Sequence, residues 1–197
     1  MITKLKDILH DIYDVFATRC MHWFSTKRLI LGKNVRFIGF PHYIIHREAT
    51  IKIGDNCTIG SSNRRYHANM YSKTKLFADK AGSSIVIGDN SRLQGACVHA
   101  YSSVTIGKNC LIAANTQVLD SNGHAPCYDN PADRLHTADK GRPIVIEDNV
   151  WVGINSIVLG GTHIGEGSII AANSVVKGDV PSRCIYGGNP AKLIKQF

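Results

Sequence analysis

The sequence is 197 residues long and holds only 6 prolines, 3 methionines and 15 acidic residues, with no apolar run of the length that spans a bilayer. Its six cysteines, at 20, 57, 97, 110, 127 and 184, include no CxxC pair and do not read as a disulfide framework. Lys4, Lys6, Asp7, His10, Asp11, Asp14 and Arg19 interrupt every apolar stretch of the first 30 residues, which excludes a signal peptide or a membrane span there. A reducing, cytoplasmic setting is therefore expected, with peripheral attachment at the inner membrane face as the alternative. Walker and dinucleotide glycine fingerprints are missing, so nucleotide hydrolysis is excluded. Zinc-finger, helix-turn-helix and RNA-recognition signatures are missing too, and no basic run carries interleaved aromatics, which excludes nucleic acid.

Because acids are few, 23 Lys and Arg leave a formal charge of +8. That balance suits an anionic partner such as a phosphorylated cofactor, an acidic glycan or a membrane surface. The hydrophobic share of 44% against 19% charged residues predicts one globular domain with small appendages.

The dominant positive signal is a period of six. Ile146, Val152, Val158, Ile164, Ile170 and Val176 form an unbroken aliphatic ladder, and Val150, Ser156, Thr162, Ser168, Ser174 and Val180 follow four residues behind. The same phase recurs at Ile53 and Ile59, at Ile87 and Leu93, and at Ile106, Ile112 and Val118, with Cys57, Ser91, Cys97, Cys110 and Thr116 in the small position. Six fits neither a helix nor simple strand alternation, but it fits short parallel strands joined by tight corners and stacked coil on coil. Corners at Gly54-Asp55-Asn56, Gly88-Asp89-Asn90, Gly107-Lys108-Asn109 and Glu147-Asp148-Asn149 supply the compact residues such turns need.

The pattern breaks in a few places. Residues 1–30 read as a helical cap, with Ile2, Leu5, Ile8, Leu9, Ile12, Val15, Phe16 and Trp23 at helical spacing; residues 31–185 read as the coil domain and 186–197 as a tail. Phase is lost between Ile59 and Ile85, across a run (Ser61 to Tyr71, including Arg64, Arg65 and Tyr66) whose amide, cationic and aromatic groups suit sugar recognition. A one-residue slip surrounds His99-Ala100-Tyr101. The longest break, a loop at 119–143, holds Asp120, His124, Arg134 and His136 before the ladder resumes.

Val150-Trp151-Val152-Gly153, Ile164-Gly165-Glu166-Gly167-Ser168, Ala171-Ala172-Asn173-Ser174-Val175-Val176 and Gly187-Gly188-Asn189-Pro190-Ala191-Lys192 resemble the hexapeptide-repeat acetyltransferases over roughly residues 33–195. Asn34-Val35-Arg36 and Phe40-Pro41-His42-Tyr43-Ile44 are similar to the lipopolysaccharide and capsular-polysaccharide O-acetyltransferases among them. The resemblance implies an all-β, left-handed parallel β-helix of triangular section, with an N-terminal amphipathic helix and an extended loop. It also implies acetyl-CoA as co-substrate with no metal, a glycan or sugar acceptor, and a homotrimer with active sites between subunits.

Acetyl transfer to a hydroxyl needs a base for the leaving proton, and neutral imidazole matches that task near pH 7. The family's essential histidine matches His124, one position later than in the galactoside-type pattern. Asp120 either orients the imidazole or makes an Asx turn. Trp151, Ala171 and Ala172 match family positions along the cofactor groove, Lys177, Arg183 and Lys192 supply cations for its phosphates, and Gly153 offers a backbone N–H for the oxyanion. His99, Arg64, Tyr66 and Arg134 are the candidate acceptor contacts. Three rival readings remain: N-acetyl transfer to an amino-sugar nucleotide, a glycan-binding solenoid without chemistry, and a zinc enzyme using His99, His124 and His136.

Overall fold

The computed structural model describes residues 2–64 and 66–197, with side chains from Ile8 onward; Arg65 and the side chains of Ile2 and Leu5 lie outside the described residues. The chain is a left-handed parallel β-helix. Short strands stack into three faces of seven, eight and six strands, and every third strand is a neighbour in the same face. A coil thus runs, for example, through Ser103–Ile106 on the seven-stranded face, Leu111–Ile112 on the eight-stranded face and Gln117–Leu119 on the six-stranded face. All neighbours are parallel until the last pair, where Cys184–Gly188 and Ala191–Gln196 form an antiparallel hairpin across the segment read as a tail.

Both inward positions of the hexad behave as the periodicity requires. Ile146, Val152, Val158, Ile164, Ile170 and Val176 are buried, and so are Val150, Ser156, Thr162, Ser168 and Ser174 in the small positions. The buried hydroxyls bond to backbone carbonyls of the next turn, as Ser156 does to Ala171 (3.0 Å) and Thr116 to Gly153 (3.2 Å), so they are satisfied inside an otherwise aliphatic core. Cys57 and Cys110 sit in the core with their thiols pushed up by burial.

The corners explain their own composition. Each Asp accepts the backbone N–H of the corner below: Asp55 from Lys33 (2.8 Å), Asp89 from Asp55 (2.9 Å) and Asp148 from Lys108 (2.7 Å). The following Asn takes φ of 58° at Asn56, 61° at Asn90, 55° at Asn109 and 62° at Asn149, a region that Asn tolerates better than any other side-chain-bearing residue. Their amides form a ladder up the corner, with Asn90 donating to Asn109 (3.2 Å) and Asn109 to Asn149 (3.1 Å).

Three expectations need correction. Cys97 is only half-buried, because the phase slips earlier than the sequence suggests: Gly95 at φ +54° shortens the turn, and Ala96 fills the small position instead. The segment between Ile59 and Ile85 is irregular only to Thr74; Lys75–Ala78 is a strand paired with His42–Ile45. The N-terminal helix (Ile2–Trp23) packs on the strand Arg36–Ile38 through Ala17 and Met21, while Ile8, Leu9, Ile12, Val15, Phe16 and Trp23 stay exposed.

Candidate active site

Trp151 lies on the eight-stranded face beside Leu111 and Ile169, its partners in register. The chain then turns sharply at Gly153-Ile154-Asn155, directly under Ala171-Ala172-Asn173. A Cβ on Gly153 would come within 2.7 Å of the Ala172 nitrogen, so only glycine lets these two corners stack. Trp151, Gly153, Ala171, Ala172 and Tyr66 thereby line one cleft of about 710 Å³, open along the face and mostly apolar. Tyr66 reaches it from the irregular segment, and burial raises its phenol. The shape and lining suit a slender apolar arm.

Gly153 does not serve as an oxyanion donor, since its N–H already bonds to the carbonyl of Ile170 at 2.8 Å. Among the described residues, the N–H groups of the next positions, Ile154 and Ala172, have no acceptor, and both residues line the cleft. The unengaged N–H thus falls one residue beyond the one singled out from sequence. The signal was the glycine corner, but only the coil register tells which N–H the ladder consumes.

Of the cations expected along the cofactor groove, Lys177 is exposed just past the strand Val175–Val176. Arg183 is an exposed corner residue bordering a second recess with Glu166 and Phe197, and Lys192 lies exposed on the final hairpin. They lie round the C-terminal end of the coil, where the recess at Arg183 shares Ile169 with the apolar cleft and Lys192 is in register with Gly187, which abuts Ala171.

His124 stands in the long loop, which leaves the coil after Gln117–Leu119 and returns at Ile144–Ile146, between the six- and seven-stranded faces. Its ends are drawn together where Arg142 N–H bonds to the Asp120 carbonyl (2.7 Å). Inside the loop His124 pairs with Ala138 across an antiparallel bridge. Asp139 fastens this neck: its carboxylate accepts the backbone N–H and the side-chain amide of Asn122 at 3.0 and 3.1 Å. The Asn122 N–H, followed by the Lys140 N–H and Arg142, holds the Asp139 carboxyl below the usual range. Asp139 was not singled out in the sequence, where it is one acid among several in a polar loop.

Asp120 is fully buried, and its two oxygens accept the backbone N–H groups of Tyr101 and Ser102, each at 2.7 Å. Burial raises its pKa despite those two donors. Its carboxylate is committed to the bulge at Tyr101 and bonds to no imidazole, so of the two readings left open the local backbone role is the one the geometry supplies. His99 stacks on Phe77 (4.6 Å, 13°), meets Tyr101 edge-on and pairs with Asp79 at 3.2 Å on the outside of the six-stranded face. Arg64 is turned toward Asp14 and Asp11 of the N-terminal helix. Arg134 donates to the Pro126 carbonyl (2.5 Å) within the loop. No group of three His, Cys, Asp or Glu capable of holding a metal occurs among the described residues.

A second cleft of about 600 Å³ lies across the corner from the first, lined by Asn69, Tyr71, Asn115, Gln117 and Asn155. Asn115 organises it, accepting from Tyr71 N–H (3.1 Å) and donating to Asn155 (3.0 Å). Asn115 and Asn155 take positive φ at these corners, so in the sequence they read as turn residues only.

The parallel β-helix thus presents an apolar slot at one corner and a histidine-bearing loop at another. The signature described as bacterial transferase hexapeptide (six repeats) matches residues 143–178, and that described as hexapeptide repeat of succinyl-transferase matches residues 50–62 and 84–119. WbbJ of Escherichia coli K12, named for lipopolysaccharide-biosynthesis O-acetyl transfer, is 33% identical over 193 residues, covering 94% of this chain and 86% of its own. Among solved structures, the polysialic-acid-specific acetyltransferase NeuO matches with TM-score 0.53 and 30% identity over 85% of this chain and 75% of that one. The Vibrio cholerae hexapeptide-repeat acetyltransferase VCA0836, solved with acetyl-CoA, matches with TM-score 0.52 and 26% identity over 78% and 70%. The chain belongs to the hexapeptide-repeat transferase family and is an acyltransferase.

Proposed function

We propose that this acyltransferase moves an acetyl group from acetyl-CoA to a sugar hydroxyl of a surface polysaccharide or its precursor, with His124 as general base, at a site completed by a neighbouring copy in a homotrimer. The observation that carries the reading is the separation of parts within one chain. The apolar cleft lies on the eight-stranded face and its corner with the six-stranded face, whereas His124 projects from the next corner round. Donor slot and base meet when the loop of one copy reaches the slot of another.

In that arrangement the pantetheine arm lies along Trp151, Gly153, Ala171 and Ala172. The imidazole of His124 takes the hydroxyl proton as the sugar oxygen attacks the thioester carbon. The Ile154 and Ala172 N–H groups hold the developing oxyanion, and its collapse expels the thiolate, which takes the proton back from the imidazolium. A glycan acceptor suits the adjoining cleft, where Tyr71, Gln117 and Asn155 offer an aromatic face and amides. The relatives named for polysaccharide acetylation point to the same acceptor class.

The test is acetyl-CoA turnover by wild type and His124→Ala on oligosaccharides with hydroxyl or amino acceptors. The expected outcome is ester formation, cut at least about a hundredfold in the variant, with the trimer mass unchanged. Full activity in His124→Ala refutes the base, exclusive labelling of amines makes this an N-acetyltransferase, and glycan binding without turnover makes it a binding solenoid.

A further inference from the structure

The N-terminal helix is built the wrong way round for a simple cap. At about 100° per residue, Ile8, Ile12, Val15, Phe16 and Trp23 fall within one arc, exposed by 55, 59, 53, 57 and 85%. The opposite arc, carrying Asp14, Ala17, Thr18 and Met21, is the one packed against the coil, and at the edge of the stripe Phe16 meets Phe40 edge-on at 6.3 Å while staying 57% exposed. The apolar stripe therefore faces outward. No helix among the described residues is long and apolar enough to cross a membrane.

Of the three acids that set this helix against an anionic surface, Asp7, Asp11 and Asp14, Asp14 lies on its inner side and Asp11 is exposed at the edge between that side and the stripe. Asp14 accepts the Gly39 N–H (3.1 Å) and pairs with Arg64, which also lies 3.6 Å from Asp11. From Ile8 to His46 these are the only carboxylates in the sequence, against Arg19, Lys27, Arg28, Lys33 and Arg36, all exposed. The outward stripe thus has exposed cations beside it, and Arg64 partners both Asp14 and Asp11. We infer that this face docks, lying in the plane of the interface, on a phospholipid surface bearing anionic headgroups. Charge selects that occupant: a second copy would bring the same cations against each other, whereas anionic lipid complements them.

The experiment uses the full chain and co-sedimentation with vesicles of phosphatidylcholine alone or with about 30% phosphatidylglycerol, a content chosen to set a clear surface potential. Binding to the anionic vesicles only is expected, weakening at least about tenfold between low and high salt as the surface charge is screened. Ile8→Asp with Ile12→Asp, and separately Arg19→Glu with Lys27→Glu, should each lower binding at least about tenfold. Acetyl transfer to a soluble acceptor and the mass by light scattering should stay unchanged, which also separates this inference from the catalytic one. Absence of wild-type binding, equal binding to both vesicles, or retention by both variant pairs overturns it; loss of oligomer mass in the aspartate pair assigns the face to contact between copies instead.

Discussion

Replacing Asp139 by Ala should damage catalysis while leaving the coil intact. Its carboxylate carries two hydrogen bonds from Asn122, the residue two positions before His124, and so fixes the neck of the loop that presents the base. Hydrogen bonds to a charged group contribute about 1.5–3 kcal/mol when well buried. Asp139 is half-buried and both bonds land on one oxygen, so about 1–2 kcal/mol for the pair is the appropriate discount. If that energy holds the loop in its working position, its loss lowers kcat by roughly 5–30-fold at about 1.4 kcal/mol per decade. KM for acetyl-CoA should not move, because the donor slot is built on other elements, and the melting temperature should stay within about 2 °C, since the loop contributes nothing to the core. Asp139→Asn retains one acceptor oxygen and should fall between the two. The pH sign follows from the lowered pKa of Asp139: its contribution is complete above the unfolded value near 3.9 and is lost as pH falls through the folded value, so it leaves no mark on rates between about pH 5 and 8. Wild-type kcat in Asp139→Ala, or a loss confined to KM, would refute the reasoning.

Ile106→Ala, at a fully buried rung, should cost about 2–5 kcal/mol and lower the melting temperature by roughly 5–15 °C in thermal unfolding. Asn109→Ala should destabilise more than Asn109→Gly, since both cut the amide ladder but only alanine is strained at φ 55°; equal effects would remove the conformational part of the argument. Asp120→Asn leaves one of the Tyr101 and Ser102 N–H groups without an acceptor, so stability should drop by about 1–3 kcal/mol while the pH profile of transfer keeps its shape; a displaced profile would return Asp120 to the imidazole.

The coil was legible because one physical rule repeats: the ladder positions and the Asp-Asn corners follow from inward packing and a turn geometry that recur with the sequence period. Legibility ended where the backbone departs from that rule. Cys97 looks inward by counting, but a glycine in the left-handed region moves the phase to Ala96. The helix pattern identified an apolar stripe, but periodicity cannot say which side faces the coil, and here small residues and a threonine pack inward. Gly153 was found through its composition, yet its N–H belongs to the ladder, and the unpaired donors sit one residue later. Arg64 and Arg134 were chosen as sugar-binding types; one ties the helix down and the other braces the loop, choices made by tertiary neighbours that no local pattern records.

The way the coil finishes has its own consequence. Only the eight-stranded face is continued by the terminal hairpin; the other two stop at Val175–Val176 and Asp179–Val180, strands of two residues each. Lys177 follows the first, Asp179 opens the second and Pro181 follows it, so the free edge is short, charged and lacks an N–H at the proline. That edge is consequently a poor template for pairing with another strand, and the proposed contact between copies falls to the flanks of the coil.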